Sequence, residues 1–232
     1  MGEEFHREFQ DLNKFGGLGE DPAYRAPELD GRLRSWPLDR WADAPRALDY
    51  DDLRRCHWRG VRLLKYPPTQ AAYHDLLWEL RPRTIIELGI YAGGSLLWFR
   101  DLTQLMGLDC QVIGVDKNLS ICQIPADDLA NISLHEGDCN ALETLESLRA
   151  AAHPLLVIDD AHFNTFNVMK WAVDSLLEQG DYFIIEDMIP TWQRYAPNFL
   201  SEYLASFREV LTMDTLYSNS CSQLEGGVFR RL

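Results

Sequence analysis

Residues Thr84 to Ser95 read T-I-I-E-L-G-I-Y-A-G-G-S, a β-branched run that ends in an acid and then breaks into glycines. An apolar run of that length before glycine predicts a buried strand over 84–88, and the apolar pattern that resumes beyond it predicts a helix over 94–106. Gly89, Gly93 and Gly94 let main chain come close to a ligand between the two. Strand, glycine turn and helix in that order restrict the chain to an α/β sheet with a nucleotide crevice at the strand's carboxyl end.

The spacing narrows the ligand. A dinucleotide fingerprint is G-x-G-x-x-G, so that a pyrophosphate can rest on the helix N-terminus. Here the spacing from Gly89 is G-x-x-x-G-G, and Glu87 stands two residues before the first glycine. A carboxylate there repels a pyrophosphate and suits a ligand carrying an ammonium and a sulfonium. E-L-G-x-x-x-G-G-S therefore reads as the first motif of a class I methyltransferase, with Glu87, Gly89, Gly93 and Ser95 as contacts to S-adenosylmethionine. Lys65 and Tyr91 flank the same region. Two further segments, C-Q-V-I-G-V-D at Cys110 to Asp116 and I-S-L-H-E-G-D at Ile132 to Asp138, also end in acids. Asp116 falls where a ribose-binding carboxylate belongs after one intervening helix, and Asp138 where an acid reaches the adenine amino group.

Helix and strand patterns alternate from Pro67 onward. A helix over 69–80 leads in, followed by strand 84–88, helix 94–106, strand 111–115, a helix near 125–130, strand 132–135, helix 141–151, strand 155–158, helix 165–178, strand 182–186 and helix 197–208. Two runs, 211–217 and 227–231, have hairpin character. The alternation implies an α/β, doubly wound, Rossmann-like class I methyltransferase fold over 66–232, closed by an antiparallel edge. Residues 1–65 form an irregular N-terminal arm with short helices, rich in proline and glycine and carrying Trp36 and Trp41. With aromatic anchors and no core of its own, the arm is expected to make an oligomer contact, which implies a homo-oligomer.

Chemistry-bearing residues gather after the fourth and fifth strands. P-L-L-V-I-D-D-A-H releases Asp159, Asp160 and His162, and Y-F-I-I-E-D releases Glu186 and Asp187. If those strands are neighbours, four carboxylates converge and repel, and a hard divalent cation with oxygen ligands, such as Mg2+, relieves them. Capping of helices explains one such acid but hardly all four. His162, three residues past Asp159, is placed to take a proton from a substrate hydroxyl as the catalytic base.

Composition sets the outer limits. Asp and Glu number 36 against 22 Lys and Arg, for a formal charge of −14, which disfavours nucleic acid or an anionic membrane as partner. The five cysteines are scattered, never in C-x-x-C spacing, so they read as free thiols in a reducing compartment. The charged M-G-E-E-F-H-R-E-F lacks signal-peptide character, and the expected location is cytoplasmic.

Several longer stretches carry a resemblance: Asp11 to Tyr24, D-L-N-K-F-G-G-L-G-E-D-P-A-Y; Trp36 to Trp41, W-P-L-D-R-W; Tyr73 to Gly89; Phe166 to Asp174, F-N-V-M-K-W-A-V-D; and Gly180 to Pro190, G-D-Y-F-I-I-E-D-M-I-P. In these the chain resembles the cephalosporin hydroxylase family of cephamycin 7α-methoxylation and, through it, the Mg2+-dependent O-methyltransferases of macrolide sugars and catechols. The resemblance implies S-adenosylmethionine and Mg2+ as cofactors. Metal-binding acids fall on Asp160, Glu186 and Asp187, and cofactor positions on Glu87, Gly89, Asp116 and Asp138, with Asp159 also left to the cofactor. The catechol-type pattern, with its base three residues after the ligand, favours Asp159 as the metal ligand instead, so the paired aspartates stay open by one residue.

The family name conflicts with the residues, because a hydroxylase must activate dioxygen. The one H-x-[DE] pattern, His6 to Glu8, lies in the arm, so no iron facial triad is indicated. The expected function is O-methylation of a hydroxylated β-lactam, with a partner oxygenase supplying the hydroxyl. The alternatives are an O-methyltransferase for a macrolide sugar or catechol, and a non-catalytic S-adenosylmethionine-binding subunit that presents substrate to an oxygenase.

Overall fold

The computed structural model describes residues 56–187, 205–218, 222–224 and 226–232. The expected arm over 1–55, the helix over 197–204 and Cys221 lie outside the described residues. Residues 56–65, assigned to the arm on sequence, are packed onto the main body. They form a two-stranded hairpin, β1 (His57–Trp58) and β2 (Val61–Arg62), and Val61 and Leu63 are buried in the main core.

α1 (Pro67–Leu80) starts with proline at its first positions, where no N–H is needed, and ends at Arg81, whose φ of 51° lies in the left-handed region just before Pro82. It buries Ala72, Tyr73, Leu76 and Leu77. β3 (Thr84–Leu88) follows, then α2 (Gly94–Leu105), β4 (Gln111–Asp116), β5 (Ile132–Glu136), α3 (Leu142–Glu146), β6 (Leu155–Asp159), α4 (Thr165–Ser175) and β7 (Tyr182–Ile185). β8 (Leu211–Met213), α5 (Thr215–Ser218) and β9 (Val228–Arg231) complete the order.

Apart from the β1–β2 hairpin, the described strands form one sheet in the order β5-β4-β3-β6-β7-β9-β8. β3 to β7 pair in parallel, and β9 runs antiparallel between β7 and β8. Every residue of β3 and β6 is buried, as expected for parallel strands covered on both faces. Side chains alternate between two cores. Ile85, Leu156, Ile158 and Ile184 face α1, α2 and the hairpin, whereas Ile86, Val157, Phe183 and Ile185 face α4. Each such aliphatic side chain contributes roughly 1.5–3 kcal/mol by leaving water.

The expected doubly wound sheet and antiparallel edge are present, with local departures. The helix expected near 125–130 is a single 3-10 turn at Ala126–Asp128, where Pro125 and two aspartates leave too few residues to propagate a helix. The helix expected over 141–151 ends at Glu146. The run 211–217 is a strand only to Met213, because Asp214 accepts the N–H groups of Leu216 and Ser218 through its side chain and carbonyl and starts α5. Among the described residues no helix is long and apolar enough to cross a membrane.

The hairpin seats on α2 where glycine is required. A Cβ at Gly94 would lie 2.0 Å from the carbonyl oxygen of Arg62, a backbone atom that cannot yield alone. Gly94→Ala is therefore expected to lower stability by about 1–3 kcal/mol, or about 2–12 °C in Tm, by displacing the hairpin. Gly107→Asn, in open space at a φ of 68° that asparagine tolerates, should leave Tm unchanged in the same calorimetric scan.

Candidate active site

The carboxyl ends of β3, β4, β6 and β7 meet where the strand order reverses, between β3 and β6. Such a switch point opens a crevice between neighbouring loops. Its floor is narrow: Gly89, at φ 86°, faces the backbone of Ala161, and a Cβ there would meet Ala161 atoms at 2.8 Å. Only glycine lets these two loops touch.

The period-2 alternation sorts the acids. Glu87 and Glu186 continue the face of Ile85 and Ile184, and Asp160 joins them; Asp159 continues the face of Val157. On the first face stands Lys65, 1 % exposed, from the segment between β2 and α1. Its Nζ lies 2.7 Å from both Glu186 oxygens, 3.0 Å from Asp160 Oδ2 and 3.0 Å from Glu87 Oε1. Tyr73 of α1 donates a short hydrogen bond to Glu186 Oε1. Burial lowers the affinity of Lys65 for its proton, but Asp160, Glu186 and Glu87 outweigh it and hold the ammonium well above its usual range. Glu186 is pushed up to about 8 by burial, with Lys65 opposing.

Glu87 is fully buried, accepts from Ser95 Oγ at 2.5 Å and pairs with Lys65. Its carboxylate is held by Lys65 on one oxygen and by Ser95 on the other. Asp116 ends β4 and Asp138 follows β5 at the same carboxyl edge of the sheet. Asp116 Oδ2 accepts the N–H groups of Ile90 and Tyr91 at 3.0 and 3.3 Å, which fixes the glycine loop. Asp138 Oδ1 accepts from the backbone and side chain of Asn140, which lowers its pKa. Asp159, 0 % exposed, accepts from the Ala161 N–H, and burial pushes it up to about 6.

A second group opens to the surface. Asp160, His162 and Asp187 are half-buried, with ligand atoms within 4.8 Å of one another. His162 Nε2 lies 3.2 Å from Asp160 Oδ1 and 3.8 Å from Asp187 Oδ2. Burial opposes protonation of the imidazole, but Asp160, Asp187 and Asp159 outweigh it and raise its pKa. Tyr91, His162, Asn164 and Asp187 all have positive φ, a concentration of strained non-glycine backbone at the crevice rim. Of the paired aspartates, Asp160 belongs to both acid groups and Asp159 to neither.

The side chains suit a divalent cation and a nucleoside ligand. Asp160 and Asp187 offer carboxylate oxygens at an open rim, with Glu186 behind Asp160, which is a donor set for a hard cation. Among the described residues Asp159 Oδ2, His162 Nδ1 and Asn140 Oδ1 are buried without a hydrogen-bond partner, leaving polar atoms for a ligand to satisfy. Tyr73 and Gln223 were not visible as site residues in the sequence. The signal for Tyr73 is a hydroxyl-bearing side chain on the otherwise apolar buried face of α1, among Ala72, Leu76 and Leu77; Gln223 has none. Cys110 and Cys139 are free, buried thiols, pushed up by burial to about 12 and about 11.

Comparison with known proteins bears on this geometry. Residues 52–196 match the model of the rhamnosyl O-methyltransferase/CmcI family. A rhamnosyl O-methyltransferase of Mycobacterium leprae (strain TN) is 29 % identical over 140 residues, 56 % of this chain and 59 % of that protein, so the chain spans less than two thirds of that relative. A CmcI structure with Mg and S-adenosylmethionine is 68 % identical, covers 95 % of both chains and superposes with a TM-score of 0.75. The CmcI apo structure is 68 % identical over 95 % of both chains, at a TM-score of 0.74. TomG, an O-methyltransferase of Streptomyces achromogenes, shares the fold at 18 % identity, covering 70 % of this chain and 78 % of its own, with a TM-score of 0.50.

Proposed function

The chain belongs to the rhamnosyl O-methyltransferase/CmcI family, and from that premise we propose that it is an S-adenosylmethionine- and Mg2+-dependent O-methyltransferase whose acceptor is a hydroxylated β-lactam, as in cephamycin-type 7α-methoxylation. The observation that carries the chemistry is the open group of Asp160, His162 and Asp187 beside the Gly89–Ala161 floor. A mere cofactor-binding scaffold has no use for a base and two rim acids at that place. The β-lactam acceptor is supported by the resemblance of the arm and core stretches to the cephalosporin hydroxylase family. A partner oxygenase would then supply the hydroxyl.

When bound, S-adenosylmethionine supplies the methyl group, and Mg2+ supplies positive charge beside the acceptor hydroxyl. Asp160 and Asp187, with Glu186 behind, would hold the ion. His162 takes the hydroxyl proton, and the two rim acids that face its Nε2 steady the imidazolium. As the oxygen–carbon bond forms, the carbon–sulfur bond breaks and sulfur keeps the electron pair. The chain's task is alignment: Asp116 fixes the glycine loop, the Gly89–Ala161 contact fixes the floor, and the strained rim holds its side chains without rearrangement. Asp159 and Asp138 at strand ends, with Gly93 and Ser95 at the start of α2, complete the proposed cofactor site.

The test is binding followed by turnover. Calorimetry should register S-adenosylmethionine and its demethylated product and no heat with NAD. Mass spectrometry should then find one added methyl on a 7-hydroxycephalosporin and none on rhamnosyl or catechol acceptors. Equal affinity for NAD would sink the cofactor assignment, and methylation of the sugar alone would move the acceptor to the chemistry named for the M. leprae relative.

A further inference from the structure

Lys65 reaches further across the sheet than its place in the chain suggests. It belongs to no strand of the main sheet, yet its Nζ touches carboxylates that follow or close three different strands, β3, β6 and β7. The main chain on either side is pinned. Gln70 Nε2 donates to the Lys65 carbonyl at 2.8 Å, Gln223 Nε2 donates to the Leu64 carbonyl at 3.2 Å, and the Tyr66 N–H donates to Gln223 Oε1 at 3.0 Å. Gln223 also holds the rim: its carbonyl accepts the Asp187 N–H at 2.8 Å, and its Nε2 lies 3.4 Å from Asp187 Oδ2. A 7 % exposed glutamine thus ties the lysine segment to the outer acid.

The consequence falls on Asp160. Its Oδ2 is 3.0 Å from Lys65 Nζ, and its Oδ1 is 3.2 Å from His162 Nε2. We propose that Lys65 is a positioning residue that clasps one oxygen of Asp160 inward and so presents the other, together with Asp187, to a divalent cation at the rim. This rests on the Mg2+ function proposed above. Groups behind a metal ligand commonly tune affinity by fixing the ligand's orientation. A lysine that only balanced buried charge would do no such thing, because any arrangement with the same net charge would serve.

Lys65→Arg separates the two, because it keeps the charge but spreads it over a planar fork that cannot aim one nitrogen at three carboxylates. The full-length protein is titrated with Mn2+ by electron paramagnetic resonance, with affinity for S-adenosylhomocysteine measured in parallel without metal to show that the variant is folded. Mn2+ affinity is expected to fall about 10- to 100-fold with the nucleoside still bound. Unchanged or tighter Mn2+ binding would overturn the positioning role. Should Lys65→Arg fail to fold, Gln70→Leu releases the Lys65 carbonyl and leaves every charge in place; weaker Mn2+ binding is again expected, and parental affinity would overturn the inference. A parent protein that binds no Mn2+ would bring down the metal function itself, and this inference with it.

Discussion

Methyl transfer should vanish on chelation with EDTA and return with added Mg2+, and Asp187→Ala should lower turnover by about 10²- to 10⁴-fold with the fold intact. Asp187 sits half-buried at the rim, so its loss removes an oxygen ligand without exposing a core. Glu186 next to it is a different case. It is fully buried, held by Lys65 and Tyr73, and Glu186→Ala would leave the buried ammonium with one partner fewer, at a cost of about 3–5 kcal/mol in stability. Two acids adjacent in sequence should therefore separate in the assay, one losing turnover alone and the other losing turnover and Tm together. Full activity in buffer shown metal-free by elemental analysis would return both to structural roles.

His162→Ala should lower turnover by about 10²- to 10⁴-fold, the usual worth of a positioned base, with nucleoside affinity little changed. A base works only when neutral, so turnover should rise with pH as the imidazole loses its proton. In the metal-free protein the surrounding acids raise the pKa of the ring, and a bound divalent cation would neutralise Asp160 and Asp187 and draw it back. Turnover of the Mg2+-loaded parent should accordingly rise through the imidazole range, and the rise should be missing in His162→Ala. A rise that persists in the variant would assign the proton to another group.

Much of this arrangement was legible before any coordinates. The runs T-I-I-E-L, V-I-G-V-D, L-L-V-I-D and Y-F-I-I are apolar and β-branched, and each is a strand of the parallel sheet within a residue of its expected limits. Acids at the ends of such strands must arrive at one edge, so the gathering of Asp116, Asp160, Glu186 and Asp187 needed only parallel pairing. Which way each acid points was harder. Pleat and burial put Asp160 with the other acids and Asp159 on the opposite face, which the pattern D-D does not display. The pairing of Glu87 with Lys65 was equally invisible, because the two come from segments with no shared periodicity. Lys65 is 121 residues from Glu186 and Gln223 is 157 from Tyr66, separations over which local periodicity is silent.

The place of β9 has a bearing on how the chain comes to be folded. β8 pairs with β9 alone, and β9 in turn fills the gap beside β7. During synthesis from the N-terminal end, β3 to β7 can zip together as they emerge, but residues 211–213 have no edge to join until residues 228–231 have left the ribosome. The same late event delivers Gln223 to the rim. A nascent chain should consequently acquire its parallel sheet well before it acquires an ordered metal-facing edge.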